Sequence, residues 1–211
     1  MDIQNFIRNR PYLYHLTSTE NAERIIDQKR LFCTNELIRM SGDELHLPIQ
    51  RQKRSTHYEL KIDGISYFLR DQRPISTKAL GKCLTDGWTV GDFLYHLNDR
   101  VFMWPTLDRL WRHFNRYEAE HPVIFRFPTD ALFAINPHVE FCRLNSGATR
   151  ANSYLGGKPP ARGAQTFLPA DRFEFTVGNV AEITFQKQCD INMNFGFSSR
   201  PDSEYEIIRQ S

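Results

Sequence analysis

Apolar and polar positions change rhythm several times along this chain, and each change predicts an element. Tyr12-Leu13-Tyr14 is a short apolar run that leads into His15-Leu16-Thr17, and Ser18-Thr19-Glu20-Asn21 then supply polar side chains suited to capping a helix. From Asn21 the period is helical, with Ala22, Ile25 and Ile26 on one stripe and Glu23, Arg24 and Asp27 on the other. That helix is expected to end near Gln28-Lys29-Arg30, where cations suit the negative end of its dipole, before Leu31-Phe32 resume an apolar run. The predicted unit is strand, turn, helix and second strand. It presents His15 and Thr17 at a strand end facing a helix N-terminus, where an anion is electrostatically favoured.

A second short helix is predicted over 35–40, stopped by Ser41-Gly42. Tyr58 to Leu69 alternates on both sides of Asp63-Gly64, the strongest short-range hairpin signal. Two helices, 76–84 capped by Ser76 and 89–98 burying Val90, Phe93, Leu94 and Leu97, form a helical hairpin around Asp86-Gly87. Arg100 to Pro105 reads as a buried strand stopped by proline, and 106–117 as a helix with Leu107, Leu110, Trp111 and Phe114 on its apolar face. Strands follow at 122–127, 139–142 and 179–185, with one helical turn at 130–133 and a strand-like piece at 205–208. Thr166-Phe167-Leu168 is expected to re-enter the fold after an irregular Gly/Pro-rich run over 152–163.

Composition narrows the class. The 211 residues suffice for one domain, 1–211, with a real core, and 40% apolar with 25% charged residues is ordinary for a soluble globular protein. Sixteen phenylalanines point to aromatic packing or an aromatic-lined cleft. A net charge of +2 is too small to establish nucleic-acid binding by itself. The N-terminal MDIQNFIRNR lacks the apolar centre of a signal peptide, and no apolar run approaches membrane-spanning length, so a cytoplasmic protein with no membrane partner is expected. Cys33, Cys83, Cys142 and Cys189 form no Cys-x-x-Cys pair and stand at no metal-ligand spacing from a histidine, which predicts reduced thiols and no metal site.

Several residues are candidates for chemistry, each with a plainer alternative. Arg51, Lys53 and Arg54 lie in a basic stretch that either contacts phosphates or is a solvated loop. Arg70, at a strand exit, can grip a pyrophosphate with its planar fork, whereas neighbouring Asp71 can equally pair with Arg70 or Arg73. Leu144 to Arg150 is a small-residue loop able to bring N–H groups to a phosphate, and with Lys158 and Arg162 the region from Arg150 onward has positive potential. It is either a substrate-recognition loop or a tether. Glu182 stands among apolar neighbours on a predicted strand, and a buried carboxylate needs a partner or a function.

Tyr14-His15-Leu16-Thr17, Asn21, Ile25-Ile26 and Leu31 together resemble the opening of the DarT-type DNA ADP-ribosyltransferase toxins, although Lys29-Arg30 stand where that family has a glycine, so a different exit turn is expected. With the Arg-Asp-Gln, Asn-Ser-Gly-Ala-Thr and Arg-Gly-x-x-Thr-Phe runs, the chain is more closely similar to an uncharacterised bacterial family, over almost its whole length. The resemblance implies an α+β fold with an ADP-ribosyltransferase-like split mixed or antiparallel sheet and flanking helices. It further implies NAD as substrate, with ADP-ribose passed to an acceptor: a base in single-stranded DNA or RNA, a protein, a small molecule, or water. On that resemblance Glu182 and Arg70 are catalytic, and His15, Thr17, Asn21, Tyr14, Met103 and Trp104 hold the cofactor; the two basic loops, by their charge, offer Arg51, Lys53, Arg54, Arg150, Lys158 and Arg162 as nucleic-acid contacts. Met103 and Trp104 are equally readable as core. A non-catalytic nucleotide or nucleic-acid binding module on the same fold is the competing function. A 2′-phosphotransferase-like enzyme would need a cluster of basic residues that the sequence alone does not assemble.

Overall fold

The computed structural model describes residues 1–151 and 153–210. Helix α1 (Ile3–Asn9) is followed by β1 (Tyr12–Thr17), α2 (Thr19–Gln28), β2 (Arg30–Phe32) and α3 (Thr34–Ser41). A 3-10 segment (Glu44–Gln50) leads to the hairpin β3 (Tyr58–Ile62) and β4 (Ile65–Leu69), and then to α4 (Thr77–Gly81) and α5 (Val90–Asn98). Next come β5 (Arg100–Met103), α6 (Leu107–Tyr117), β6 (Val123–Pro128), α7 (Thr129–Ile135) and β7 (Val139–Cys142). After a long irregular stretch the chain finishes with β8 (Glu182–Gln186), β9 (Gln188–Asp190), β10 (Phe195–Ser198) and β11 (Glu206–Ile208).

The result is an α+β protein. A four-stranded sheet, β1-β6-β10-β11, and a three-stranded sheet, β5-β8-β7, are accompanied by two two-stranded pieces, β2-β9 and β3-β4. Each of these strand pairs is antiparallel, so the mixed alternative for the sheet is not what forms. The two larger sheets touch at one point, where Tyr14 and Trp104 exchange backbone hydrogen bonds of 3.0 and 2.9 Å. One residue further along β1, His15 Nδ1 donates to the Phe102 carbonyl at 2.9 Å, so a side chain rather than a ladder joins the sheets there.

Phenylalanine builds the principal core. Phe125, Phe127 and Phe195 pack edge and face between β6 and β10, while Phe6, Phe133 and Phe141 do the same under α1 and α7. Such pairs contribute ~0.5–1.5 kcal/mol beyond their buried area. The apolar face of α6 (Leu110, Phe114, Tyr117) packs separately on Tyr14, Leu16, Ile124 and Tyr205. The hairpin buries Leu60, Ile62, Tyr67 and Leu69 against Leu37 and Ile38 of α3.

Local chemistry accounts for most element ends. Ser18, Ser76, Thr89 and Thr106 each accept a backbone N–H three residues on, satisfying an orphan donor of the helix they start. Lys29 takes φ 52°, the left-handed C-cap usually given to glycine, so the turn out of α2 keeps ordinary geometry despite its residue type. Asp63 and Gly64, both at positive φ, make the tight hairpin turn. Helix α1, capped by Asp2 and buried through Phe6, and strand β10 are elements the periodicity does not announce, because each exposes too few alternating positions. Helix α7 runs seven residues rather than the single predicted turn. Strand β8 starts at Glu182, after a 3-10 turn over Val177–Asn179. No helix among the described residues is long and apolar enough to cross a membrane. The four cysteines are buried and unpaired, and no described cluster of His, Cys, Asp or Glu could hold a metal.

Candidate active site

Where β1 and β5 part beyond the Tyr14–Trp104 contact, a cavity of about 870 Å³ opens, a size typical of cofactor sites. One wall comes from the end of β1, Trp104 and the inner face of α6; another from the loop over 145–150 and Glu182 of β8. The opposite end, formed by α2, β2, α3 and β4, is more apolar, with Ile25, Leu31, Phe32, Leu37, Tyr67 and Leu69. His15, Thr17, Asn21, Arg54, Arg70, Trp104, Arg150 and Glu182 all line this one cavity, although 167 positions separate the first from the last (182 − 15).

Glu182 opens β8 and is 8% exposed. Burial raises its pKa, while the backbone N–H and hydroxyl of Ser146, followed by the Arg162 and Arg109 guanidinium charges, oppose that rise. Ser146 N–H donates to Oε2 at 2.9 Å. The loop that presents this N–H is itself held by Arg162, whose guanidinium donates to the carbonyls of Asn145 and Ala148 at 2.8–3.1 Å. The carboxylate is therefore anchored by Ser146 and, among the described residues, pairs with no cation in a direct salt bridge. A buried acid held this way can act on charge that develops nearby.

His15 is pulled down to about 4, first by burial and then by the charge of Arg70, and partly restored by its bond to Phe102. A carbonyl only accepts, so Nδ1 carries the hydrogen and Nε2 keeps its lone pair at neutral pH. His113 on α6 lines the same cavity, stacks on Trp104 with ring centres 4.2 Å apart, and is lowered to about 3 by burial and then by Arg70. Arg70 lies over the Tyr117 ring at 4.4 Å and donates through Nη1 to Glu120 at 3.0 Å, while its Nε and Nη2 are buried without a described partner. Burial lowers its pKa despite Glu120. Asp71 pairs with Arg73 at 2.9 Å, so of the two alternatives for that acid the second forms.

Several expected ligand residues have other work. Tyr14 points to the face of β1 opposite His15 and packs on Tyr205, since successive side chains alternate across a strand. Met103 is fully buried in the principal core, and Trp104, its neighbour, is the one that reaches the cavity. Asn21 lines the cavity, but its amide is spent on Phe68, donating to the carbonyl at 2.8 Å and accepting the N–H at 3.0 Å, which clamps β4 to α2. Arg51 pairs with Asp92 and covers Tyr95; Lys53 donates to the Arg73 carbonyl. Arg54 turns inward to the Arg70 carbonyl and Asn98, and burial lowers its pKa to about 10. Arg162, 3% exposed, is a strut rather than a surface cation, and Lys158 is exposed away from the cavity lining. Of the expected nucleic-acid contacts, only Arg54 and Arg150 reach the cavity. Asn152, in the Gly/Pro-rich run, lies outside the described residues.

The sequence reading passes over the inner face of α6. Arg109, Arg112, His113 and Arg116 recur at i, i+3, i+4 and i+7, one face of a helix, and all four line the cavity. The same helical wheel that selects Leu110 and Phe114 as buried would have selected this polar stripe.

A family model described as a family of unknown function, DUF7002, matches residues 11–194, and the chain belongs to that family. The matched span contains every residue that lines the cavity. No curated protein and no solved structure matches the chain.

Proposed function

We propose that the cavity binds NAD and that the protein is an ADP-ribosyltransferase, cleaving the nicotinamide–ribose bond and passing ADP-ribose to an acceptor. The observation that carries this reading is the meeting of an anchored, buried Glu182 and a neutral His15 in one arginine-walled cavity of dinucleotide size. Departure of nicotinamide leaves positive charge on the ribose. The Glu182 carboxylate offers a hydrogen-bond acceptor to a ribose hydroxyl and a negative charge to the oxocarbenium-like centre. His15 Nε2 accepts a hydroxyl or amide hydrogen. The unpartnered Nε and Nη2 of Arg70 would be satisfied by pyrophosphate oxygens. Trp104, stacked on His113, gives a flat ring next to these groups for an aromatic base.

Substitution of Glu182 by Gln keeps shape and removes charge. Nicotinamide release from labelled NAD, measured with a mixed panel of DNA, RNA and protein acceptors, should fall by about 10²–10⁴-fold. The variant should still bind NAD in calorimetry. Equal release from both proteins would remove Glu182 from the chemistry. Binding of NAD with no release from either would favour the non-catalytic binding module on the same fold.

A further inference from the structure

We propose that the acceptor is a phosphate monoester, seated on the Arg112–Arg116 stripe of α6 and attacked onto the ribose through a phosphate oxygen. This rests on the ADP-ribosyl transfer reading and names its acceptor class.

Charge balance carries the argument. Among the cavity-lining arginines, Arg30 and Arg100 are paired with Asp190 and Glu140, and Arg70 with Glu120. Arg109 donates to Asn145 and has the charge of Glu182 close by. Arg54 donates to the Arg70 carbonyl and Asn98, whereas Arg112, Arg116 and Arg150 line the cavity, are exposed, and make no hydrogen bond or ion pair among the described residues; of these three, Arg112 and Arg116 stand one turn apart on α6. Glu120, the acid one turn beyond Arg116, is already held by Arg70 and by His57 at 2.9 Å. The one carboxylate among the described cavity residues is Glu182. A nicotinamide dinucleotide brings two phosphate charges and one positive ring, which leaves this wall with cations to spare. Residues four apart on a helix stand about 5–6 Å apart at Cβ, so two guanidiniums can share one tetrahedral anion.

The chemistry agrees with the surroundings. A phosphate dianion attacks through an oxygen that holds no proton. The ribose–nitrogen bond breaks with its electron pair going to nicotinamide, the ribose–oxygen bond forms, and no proton changes hands. No base is then required, so His15 and Glu182 stay with the cofactor's ribose. An alcohol or amine acceptor would need one.

The test uses the full chain with labelled NAD and three acceptors: a short 5′-phosphorylated oligonucleotide, its 5′-hydroxyl form, and glycerol 3-phosphate. Label should accumulate on phosphorylated acceptors at least tenfold over the hydroxyl form, and the labelled phosphate should resist phosphatase. Transfer to the oligonucleotide alone identifies a nucleic-acid end; transfer to both identifies the phosphate group by itself. Equal labelling of phosphorylated and hydroxyl forms overturns the proposal while leaving ADP-ribosyl transfer intact. If no nicotinamide is released in any arm, the parent reading fails instead. Titration with inorganic phosphate then decides the anion site: Arg112→Gln/Arg116→Gln should weaken binding tenfold or more, and equal affinity overturns it. A thermal melt of that double variant, altered only at exposed positions, confirms that it is folded.

Discussion

Two sets of arginines in this chain are used in opposite ways by the structure. In the first, Arg51, Arg54 and Arg162, drawn from the irregular regions, are taken up by Asp92, by Asn98 and the Arg70 carbonyl, and by the carbonyls of Asn145 and Ala148. In the second, Arg112 and Arg116 lie on one regular helix with no described partner, facing a cavity. A cation that already has its acceptors is part of the scaffold. One that lacks them is available to a ligand. Clustering in sequence does not separate the two cases; hydrogen-bond accounting does.

Acid should act on the cavity wall more strongly than any single substitution. His15 is held at about 4 and His113 at about 3, both mainly by burial in the cavity wall, against an ordinary value of 6.5. The unfolded chain therefore binds more protons than the folded one between those values. Stability from this source is complete above about pH 6.5 and is lost as pH falls toward 4 and then 3. Glu182, raised by burial, acts in the reverse sense: its folded state holds a proton longer, and that contribution is lost as pH rises through its folded pKa. Denaturant titrations at pH 7.5 and 4.5 should show a marked fall at the lower pH, smaller in His113→Phe. A flat profile would mean that the histidines are not buried as neutral groups.

Next in size is Arg162→Met. It leaves the Ala148 carbonyl without its donors, takes one of two donors from the Asn145 carbonyl and releases the loop that holds Glu182, so a loss of about 2 kcal/mol is expected in chemical denaturation. A loss under about 0.5 kcal/mol would return Arg162 to the pool of available surface cations. Asn21→Leu removes both bonds to Phe68 and should cost about 1–2 kcal/mol. If affinity for NAD falls while stability is unchanged, Asn21 is a ligand after all. Arg51→Gln, on an exposed pair, should cost less than about 1 kcal/mol. Arg112→Gln/Arg116→Gln should lie within about 0.5 kcal/mol of the parent, the smallest effect of the series. A large destabilisation there would show that α6 needs those charges for folding, and would erase the contrast.

Much was legible beforehand where one residue type has one strong local meaning. Asp63-Gly64 set the hairpin, Ser76 set the start of α4, and Leu110 and Phe114 set which face of α6 is buried, although Leu107 of the same expected stripe is 40% exposed. The site was legible only in part. Glu182 stood out as an acid in an apolar strand, and His15 as a polar residue at a strand end. Arg112, His113 and Arg116 were hidden because exposed cations on an amphipathic helix are what solvent also demands.

The sequence alone determined where most helices and strands begin and which residues of most of them are buried, though not α1 or β10, because capping, turn chemistry and periodicity act over a few residues. Only the tertiary structure decided that β1 and β5 part after a single shared rung, that Glu182 and His15 face the same opening, and which arginines are already satisfied. Those outcomes depend on partners brought together by burial of the phenylalanine core from positions far apart in the chain, and short-range patterns do not encode which acceptor each cation will meet.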